Sequence, residues 1–253
     1  MKNKRGIVLV TGASSGIGIA IAESFAAQGM DLILGARRVD RIKSLCEELS
    51  TKHGIRAEPI YLDVRNFDEI KNTLEGLPQD LREIDVLVNN AGLSLRADKV
   101  QEADISNFDT MTDTNFKGVY NMTRLVLPGM LERNKGHIIN VGSIAGLEAY
   151  STGSVYCASK AAVKVYTQAT RLDVFGSDVR VTLIEPGMTS TEFMTVKMGE
   201  EKDHYAGVEC LQAEDLANAI LYCATVPAHV NICEMVVMPT HQASVAQVFR
   251  RKS

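Results

Sequence analysis

Seven short apolar segments alternate with longer amphipathic segments, and this alternation constrains the fold more than any other feature of the sequence. The segments are Ile7 to Val10, Leu32 to Leu34, Pro59 to Leu62, Val86 to Val88, His137 to Val141, Val179 to Ile184 and Met235 to Met238. Each is almost continuously apolar, as expected for strands that are buried on both faces of a parallel sheet. The sequence therefore predicts an α/β fold of the doubly wound type, with helices covering both faces of the sheet.

The chain of 253 residues is expected to form one domain, 1–253, because α/β domains commonly reach this length and no linker or repeat divides it. Its 27 basic and 31 acidic side chains give a net charge of −4, which offers no reason to bind nucleic acid or anionic lipid. No apolar stretch reaches the ~18 residues of a membrane-spanning helix, and we expect a cytoplasmic protein. The long aperiodic segment at about 188–208 is expected to be a lid.

A glycine-rich segment follows the first predicted strand and precedes a helical pattern. It reads Thr11-Gly12-Ala13-Ser14-Ser15-Gly16-Ile17-Gly18. Glycines allow a tight turn that brings backbone N–H groups against a pyrophosphate at a helix N-terminus, where the helix dipole also favours an anion. The placement of the segment favours dinucleotide binding over a plain structural turn, with the following ligands: Gly12, Ser14, Ser15, Gly16, Ile17 and Gly18.

The end of the second predicted strand indicates which dinucleotide is bound. About 20 residues beyond such a turn, NAD-binding folds carry a carboxylate for the adenosine ribose. Here that place holds Arg37 and Arg38. An acid would repel a 2′-phosphate, whereas an arginine can hold it by charge-assisted hydrogen bonds, so the sequence predicts NADP(H) over NAD(H). The alternative is that both arginines are solvated charges at a helix entrance.

Tyr156 and Lys160 are the leading candidates for chemistry. They lie four residues apart in a segment that favours a helix, so both side chains address one reaction centre. A free tyrosine has a pKa of about 10, and an adjacent ammonium together with oxidised nicotinamide would favour the phenolate. Ser143 follows an apolar strand at the ligand-binding edge, and Asn115 is a polar residue within a helical stretch. Taken singly, each also fits an ordinary structural role.

Together these motifs resemble the short-chain dehydrogenase/reductase family. The likeness covers nearly the whole chain and lies in T-G-A-S-S-G-I-G at 11–18, N-N-A-G at 89–92, Asn115, Ser143, Y-C-A-S-K at 156–160 and P-G at 186–187. It implies a Rossmann-type, seven-stranded parallel sheet, frequent assembly as a homotetramer and no metal. It implies that Tyr156 is the general acid and base, that Ser143 positions the substrate oxygen, and that Lys160 binds the nicotinamide ribose and lowers the tyrosine pKa. Asn115 would support a proton-relay water.

The same resemblance implies further cofactor contacts. Asn90, Ala91 and Gly92 would line the cofactor, Asp63 and Val64 would meet adenine, and the nicotinamide end would be held by Pro186, Gly187, Thr189 and Thr191. For three of these residues a structural role is an equal alternative. Asp63 would then cap a turn, and Thr189 or Thr191 would stabilise a loop.

Additional segments resemble one branch of the family, the NADP-dependent serine and 3-hydroxy acid dehydrogenases. They lie at 35–38, 123–130, 184–187, 191–193 and 227–232. The branch implies hydride transfer between NADP(H) and a small 3-hydroxy acid, such as serine, allo-threonine or 3-hydroxypropionate, or its semialdehyde. The alternatives are a broad aldehyde, ketone or diketone reductase, a 3-oxoacyl reductase, and a non-catalytic NADP sensor. Intact Tyr156, Lys160 and Ser143 disfavour the sensor, since a pure binder needs no proton relay.

A hydroxy acid also needs a cation for its carboxylate. The sequence offers Arg96, Lys197, Lys202 and His204 in flanking loops and does not choose among them. Glu148, just beyond the Ser143 strand, either selects a substrate ammonium or faces solvent.

Overall fold

The computed structural model describes residues 5–96, 98–193, 197 and 205–251, and seven parallel strands form its central sheet. The strands are β1 (Ile7–Thr11), β2 (Asp31–Ala36), β3 (Ala57–Tyr61), β4 (Val86–Asn89), β5 (Gly136–Val141), β6 (Val179–Pro186) and β7 (Glu234–Val237). Their order across the sheet is β3-β2-β1-β4-β5-β6-β7. The predicted parallel, doubly wound sheet is confirmed.

Helices cover both faces of this sheet. They are α1 (Ile17–Ala27), α2 (Val39–His53), α3 (Phe67–Glu75), α4 (Ile105–Thr112), α5 (Gly118–Glu132), α6 (Ser154–Asp173) and α7 (Ala213–Thr225). A π-helical segment, Asp113–Lys117, joins α4 directly to α5. Within the described ranges, no helix combines the length and the apolar character needed to cross a bilayer.

Strand β1 shows why the strand sequences are apolar without interruption. Val8 and Val10 point into a core cluster with residues of α1, α2 and α7, whereas Ile7 and Leu9 point into a second cluster with residues of α3 and α5. All four side chains are at most 2% exposed. Burying one such side chain contributes about 1.5–3 kcal/mol, so both faces of the strand select apolar residues.

Strand β7 departs from that pattern. Its side chains alternate between exposed and partly buried, and Glu234 and Val236 are the exposed ones. Since β7 pairs with β6 alone, it is an edge strand of the sheet. The prediction that every strand is buried on both faces is therefore wrong for β7.

The strand order reverses between β1 and β4, and this reversal positions the ligand site. Connections from β1 and β4 leave on opposite sides of the sheet, which opens a crevice at the carboxyl ends of the strands. The turn containing Gly12 and the turn containing Asn90 lie side by side at this edge of the sheet, in hydrogen-bond contact. The predicted lid falls between β6 and α7. Its bounds stay a prediction because 194–196 and 198–204, including Lys202 and His204, lie outside the described residues.

Candidate active site

A cleft of about 860 Å³ lies at the carboxyl ends of the strands. It brings together residues from every motif singled out in the sequence. The predicted site residues that line it are Gly12, Ser14, Ser15, Gly16, Ile17, Arg37, Arg38, Asp63, Val64, Asn90, Ala91, Gly92, Ser143, Tyr156, Lys160, Pro186, Gly187, Thr189 and Thr191. Gly18 and Asn115 do not line the cleft and instead support its walls from behind.

The glycine-rich turn is packed so tightly that two of its positions exclude a side chain. Gly12 has a φ of 67°, a left-handed conformation that favours glycine, and a Cβ there would lie 2.9 Å from the Ala91 Cα. A Cβ on Gly18 would overlap the Gly12 carbonyl oxygen and lie 2.9 Å from the Ala13 Cα. Gly18 therefore acts by letting α1 approach the turn closely, which leaves the backbone N–H groups free to face a pyrophosphate.

Asn90 and Thr11 hold that turn against the loop after β4. The Asn90 side-chain amide donates to the carbonyl oxygens of Thr11 and Gly12, at 2.9 and 3.3 Å. The Thr11 hydroxyl accepts hydrogen bonds from the backbone N–H groups of Asn90 and Ala91, each at 3.0 Å. Sequence reasoning missed Thr11, because a threonine at the end of a strand carries no signal of its own.

Arg38 reaches the glycine-rich turn from the end of β2. Its guanidinium donates to the Ser14 hydroxyl at 3.2 and 3.3 Å and to the Ser15 hydroxyl at 3.1 Å. Arg38 also precedes α2 directly and is half-exposed, so it has the helix-entrance position of the alternative explanation as well. The contacts with both serines nevertheless aim its positive charge at the turn where a phosphate is expected.

Asp63 is already engaged by a neighbouring cation. Its carboxylate accepts hydrogen bonds from the Arg65 guanidinium at 2.6 to 3.1 Å and from the Arg65 backbone N–H at 3.1 Å. These hydrogen bonds lower the pKa of Asp63 below its ordinary value. Asp63 thus has the turn-stabilising role that was its alternative, and its contact with adenine stays a prediction.

The catalytic candidates converge where β5 and α6 meet. The Lys160 side chain is 5% exposed, and its ammonium donates to the Val141 carbonyl oxygen at 2.9 Å and lies 5.9 Å from the centroid of the Tyr156 ring. Ser143 directly follows β5, and its hydroxyl accepts a hydrogen bond from the Ala145 N–H at 3.1 Å. A Cβ on Gly92 would lie 3.4 Å from the Lys160 ammonium, so a bare backbone borders the lysine on that side.

Burial dominates the protonation of this pair. It raises the pKa of Tyr156 to about 12, while a hydrogen bond with Ser143 acts in the opposite direction. Burial also lowers the pKa of Lys160 to about 8. The protein groups therefore keep the phenol protonated at neutral pH, the form that can donate a proton to a carbonyl oxygen. The predicted phenolate rests on the added positive charge of oxidised nicotinamide.

Asn115 connects the loop after β4 to α6, the helix that carries Tyr156 and Lys160. Its amide group accepts from the Leu93 N–H and donates to the Leu93 carbonyl oxygen, both at 2.8 Å, and donates to the Ser159 hydroxyl at 3.0 Å. Ser159 in turn donates to the Tyr156 carbonyl oxygen at 2.8 Å. Asn115 lies in the π-helical segment, a feature that is rare and is often found at functional sites. Its support of a relay water stays a prediction.

Several functional candidates were missed in the sequence. Thr11 and Ser159 support the site through hydrogen bonds without lining the cleft. Five further missed residues do line it, namely Tyr150, Phe193, Tyr205, Gln242 and Val245. Only Ser159 had a usable signal, since it lies within the Tyr-Lys segment. The five residues that line the cleft lie outside the regular patterns of the sequence, where spacing says nothing about which side chain faces a ligand.

A family model described as short chain dehydrogenase matches residues 6–202. The chain belongs to the short-chain dehydrogenase family. It is 45% identical to sulfoacetaldehyde reductase 2 of Chromohalobacter salexigens over 242 residues, 94% of this chain and 95% of that protein. It is also 45% identical to the NADP-dependent 3-hydroxy acid dehydrogenase YdfG of Salmonella typhimurium, over 94% of this chain and 96% of that protein.

Among solved structures, the fold is similar to a closed form of serine dehydrogenase complexed with NADP⁺. The TM-score is 0.91 and the identity 43%, with 97% of this chain and 100% of that chain covered. These likenesses confirm the predicted family, the predicted fold and its NADP-dependent branch. They also give a reason to consider which substrates this short-chain dehydrogenase accepts.

Proposed function

We propose that this short-chain dehydrogenase transfers a hydride between NADP(H) and a small 3-hydroxy acid or the corresponding semialdehyde. The observation that carries the proposal is a single cleft with two chemically distinct ends. Arg38 and the serines of the glycine-rich turn lie at one end, and Ser143, Tyr156 and Lys160 lie at the other. Relatives named as NADP-dependent 3-hydroxy acid dehydrogenase are similar in sequence to this chain over nearly its whole length.

The residues fit NADP(H) at both ends of the dinucleotide. Backbone N–H groups at the start of α1 would face the pyrophosphate, and Arg38 would hold the 2′-phosphate beside Ser14 and Ser15. Lys160 would donate to the nicotinamide ribose from its buried position. NADPH supplies the hydride when it is bound. The protein's own task is to hold the carbonyl carbon close to that donor and to exclude water.

Tyr156 handles the proton. In the reducing direction its protonated phenol donates to the carbonyl oxygen, which the Ser143 hydroxyl holds in place, as the carbon accepts the hydride. In the oxidising direction the phenolate takes the proton from the substrate hydroxyl. Burial lowers the pKa of Lys160 to about 8, and its ammonium lies 5.9 Å from the centroid of the Tyr156 ring, close enough to stabilise the phenolate.

An absorbance screen at the NADPH band tests the proposal. The substrates are 3-hydroxy acids and semialdehydes, with bulky ketones, diketones and acyl thioesters as the competing classes. Turnover of the short hydroxy acids supports the proposal. Turnover of bulky ketones alone would make the protein a broad carbonyl reductase, and tight NADPH binding without any turnover would make it a sensor.

We also infer that the protein works in the cytoplasm as a homotetramer. Val165 and Leu172, seven residues apart on one face of α6, are 63% and 77% exposed, and Phe175 just beyond the helix is 92% exposed. Exposed apolar groups on a helix next to the edge strand β7 favour burial against further copies of the chain. Light scattering after size exclusion would give the mass of four chains; a single-chain mass at micromolar concentration would exclude the tetramer.

A further inference from the structure

Of the described cations considered for the substrate carboxylate, Lys197 is the one that lines the catalytic cleft. It lines the cleft together with Ser143 and Tyr156. Arg96, the other described candidate, has a side chain that is 75% exposed and lies 3.6 Å from the Asp98 carboxylate. Arg96 does not line the cleft, and its backbone N–H donates to the Lys197 carbonyl oxygen at 3.0 Å. Arg96 therefore helps to hold the backbone of Lys197, while its guanidinium lies near the Asp98 carboxylate, in a smaller pocket that Tyr156 also lines.

Tyr150 holds the Lys197 side chain in position. The ammonium donates to the Tyr150 hydroxyl oxygen at 3.1 Å and lies 4.9 Å from the centroid of its ring. The end of a long flexible side chain is thus held against one tyrosine, which reduces the entropy lost when it binds an anion. The same lid segment places the Phe193 ring 5.8 Å from the Tyr156 ring, so the segment touches both the catalytic tyrosine and the lysine-tyrosine pair.

The electrostatics of Lys197 call for an anion. Partial burial lowers the pKa of Lys197, and in the described part of the chain no carboxylate lies within ion-pair distance of its ammonium. A half-buried charge without a counter-charge carries an uncompensated desolvation cost. An acid group in the cleft would offset that cost and would accept a charge-assisted hydrogen bond.

Glu148 does not oppose such an anion. Its carboxylate accepts a hydrogen bond from the Val245 backbone N–H at 3.2 Å, and Glu148 is absent from the cleft lining. The described acids that do line the cleft are Asp63 and Glu192, which pair with arginines near the adenosine end. Among the described residues, then, the substrate end presents a cation and no carboxylate that would select a substrate ammonium.

We propose that Lys197, held by Tyr150, forms the subsite for the acid group of the substrate. The inference rests on the proposed function and deepens it. The substrate class is a short aldehyde or alcohol in which one methylene separates the reacting carbon from a carboxylate or a sulfonate. Both acids present oxygen atoms of like charge to one ammonium, and relatives of this chain are named for substrates of each kind.

Three variants test the subsite against a matched control. Lys197→Met removes the charge and keeps much of the chain length, Lys197→Arg restores a cation, and Tyr150→Phe removes only the hydroxyl. Lys71→Met is the control, because Lys71 is a half-exposed lysine on α3 that pairs with Glu75 in the same helix. NADPH-dependent reduction is followed with 3-oxopropanoate, sulfoacetaldehyde and the neutral aldehyde propanal.

We expect Lys197→Met to raise KM about 10–100-fold for whichever acid aldehydes the wild type accepts, because a charge-assisted hydrogen bond is lost. Its kcat/KM for propanal should change less than twofold. Lys197→Arg should recover part of the loss, Tyr150→Phe should lose less than Lys197→Met, and Lys71→Met should match the wild type. Equal losses for acid and neutral aldehydes would overturn the proposal, since they would indicate a general defect of the lid.

Binding measurements keep this proposal separate from the function on which it rests. Calorimetric titration of the NADP⁺-loaded protein with 3-hydroxypropionate and with 2-hydroxyethanesulfonate needs no turnover. If the wild type binds either acid and Lys197→Met does not, the subsite is supported even when no substrate is reduced. The absence of reduction would refute only the proposed activity. Reduction of propanal with no binding of either acid would refute the subsite and leave hydride transfer intact.

Discussion

Arg38→Ala is the sharpest test of how this protein chooses its cofactor. The guanidinium spans the hydroxyl groups of Ser14 and Ser15 at 3.1 to 3.3 Å, beside the expected position of the 2′-phosphate. A hydrogen bond to a charged group is worth about 1.5–3 kcal/mol, and the half-exposed side chain puts this one toward the lower half of that range. A loss of about 2 kcal/mol corresponds to a ~30-fold weaker Kd for NADPH.

NADH lacks the 2′-phosphate, so its Kd should change less than threefold in Arg38→Ala. Fluorescence titration of both cofactors gives the ratio of the two Kd values directly. Arg41→Ala is the matched control. Both arginines lie near the Glu192 carboxylate, Arg41 at 3.4 Å and Arg38 at 3.9 Å, but Arg41 makes no hydrogen bond to Ser14 or Ser15. It should leave the ratio nearly unchanged.

The salt dependence adds a second criterion. The wild-type preference for NADPH should shrink as ionic strength rises, because a half-exposed charge is screened, and the preference of Arg38→Ala should depend on salt less. A ratio of Kd values that stays within twofold of the wild type in Arg38→Ala would refute the reasoning. Arg38 would then be a solvated charge preceding α2.

Three further outcomes are expected. Tyr156→Phe should lower kcat about 10²–10⁴-fold with NADPH affinity nearly unchanged, because only the proton donor is lost. The control Tyr120→Phe changes an exposed tyrosine and should leave kcat unchanged. A near-normal kcat in Tyr156→Phe would contradict the assignment. Gly18→Ala should lower the free energy of unfolding in urea by about 1–3 kcal/mol, because the new methyl group overlaps backbone atoms. Gly129→Ala is the control, since a methyl group there meets the flexible end of an arginine and should leave the free energy of unfolding unchanged. Equal stability of the two variants would count against the packing argument. Burial lowers the pKa of His137 to about 3 in the folded protein, against 6.5 in the unfolded chain. As the pH drops from 6.5 toward 3, the unfolded chain binds the proton first, so the free energy of unfolding should fall by up to about 1.4 kcal/mol per pH unit. His137→Gln should flatten this slope, and identical slopes in wild type and variant would refute the assignment.

Much of the sheet could be predicted because burial on both faces leaves a direct trace in the sequence. Strand β1 is apolar from Ile7 to Val10, since Val8 and Leu9 pack into different clusters. Strand β7 looks equally apolar, but its position at the edge of the sheet exposes Val236. An apolar run does not reveal whether a strand has one neighbour or two, and only tertiary structure shows this.

The candidate site follows the same division. Tyr156 and Lys160 could be assigned from spacing, because one helix carries both and its geometry is regular. The pairing of Lys197 with Tyr150 joins residues 47 positions apart, and no periodicity of the sequence connects them. The engagement of Asp63 by Arg65 was also hidden, because a nearby opposite charge in the sequence does not show which rotamers meet.

The π-helical segment at Asp113–Lys117 makes the register of one long helix a determinant of the site. A π turn holds one residue more than an α turn, so α4 and α5 are set out of phase by about 100°. The segment lies between two buried residues, Met111 of α4 and Met122 of α5. Removing a single residue between them would preserve a continuous helix and turn Asn115 away from Leu93 and Ser159. In this short stretch the length of the chain carries functional information that residue identity alone does not.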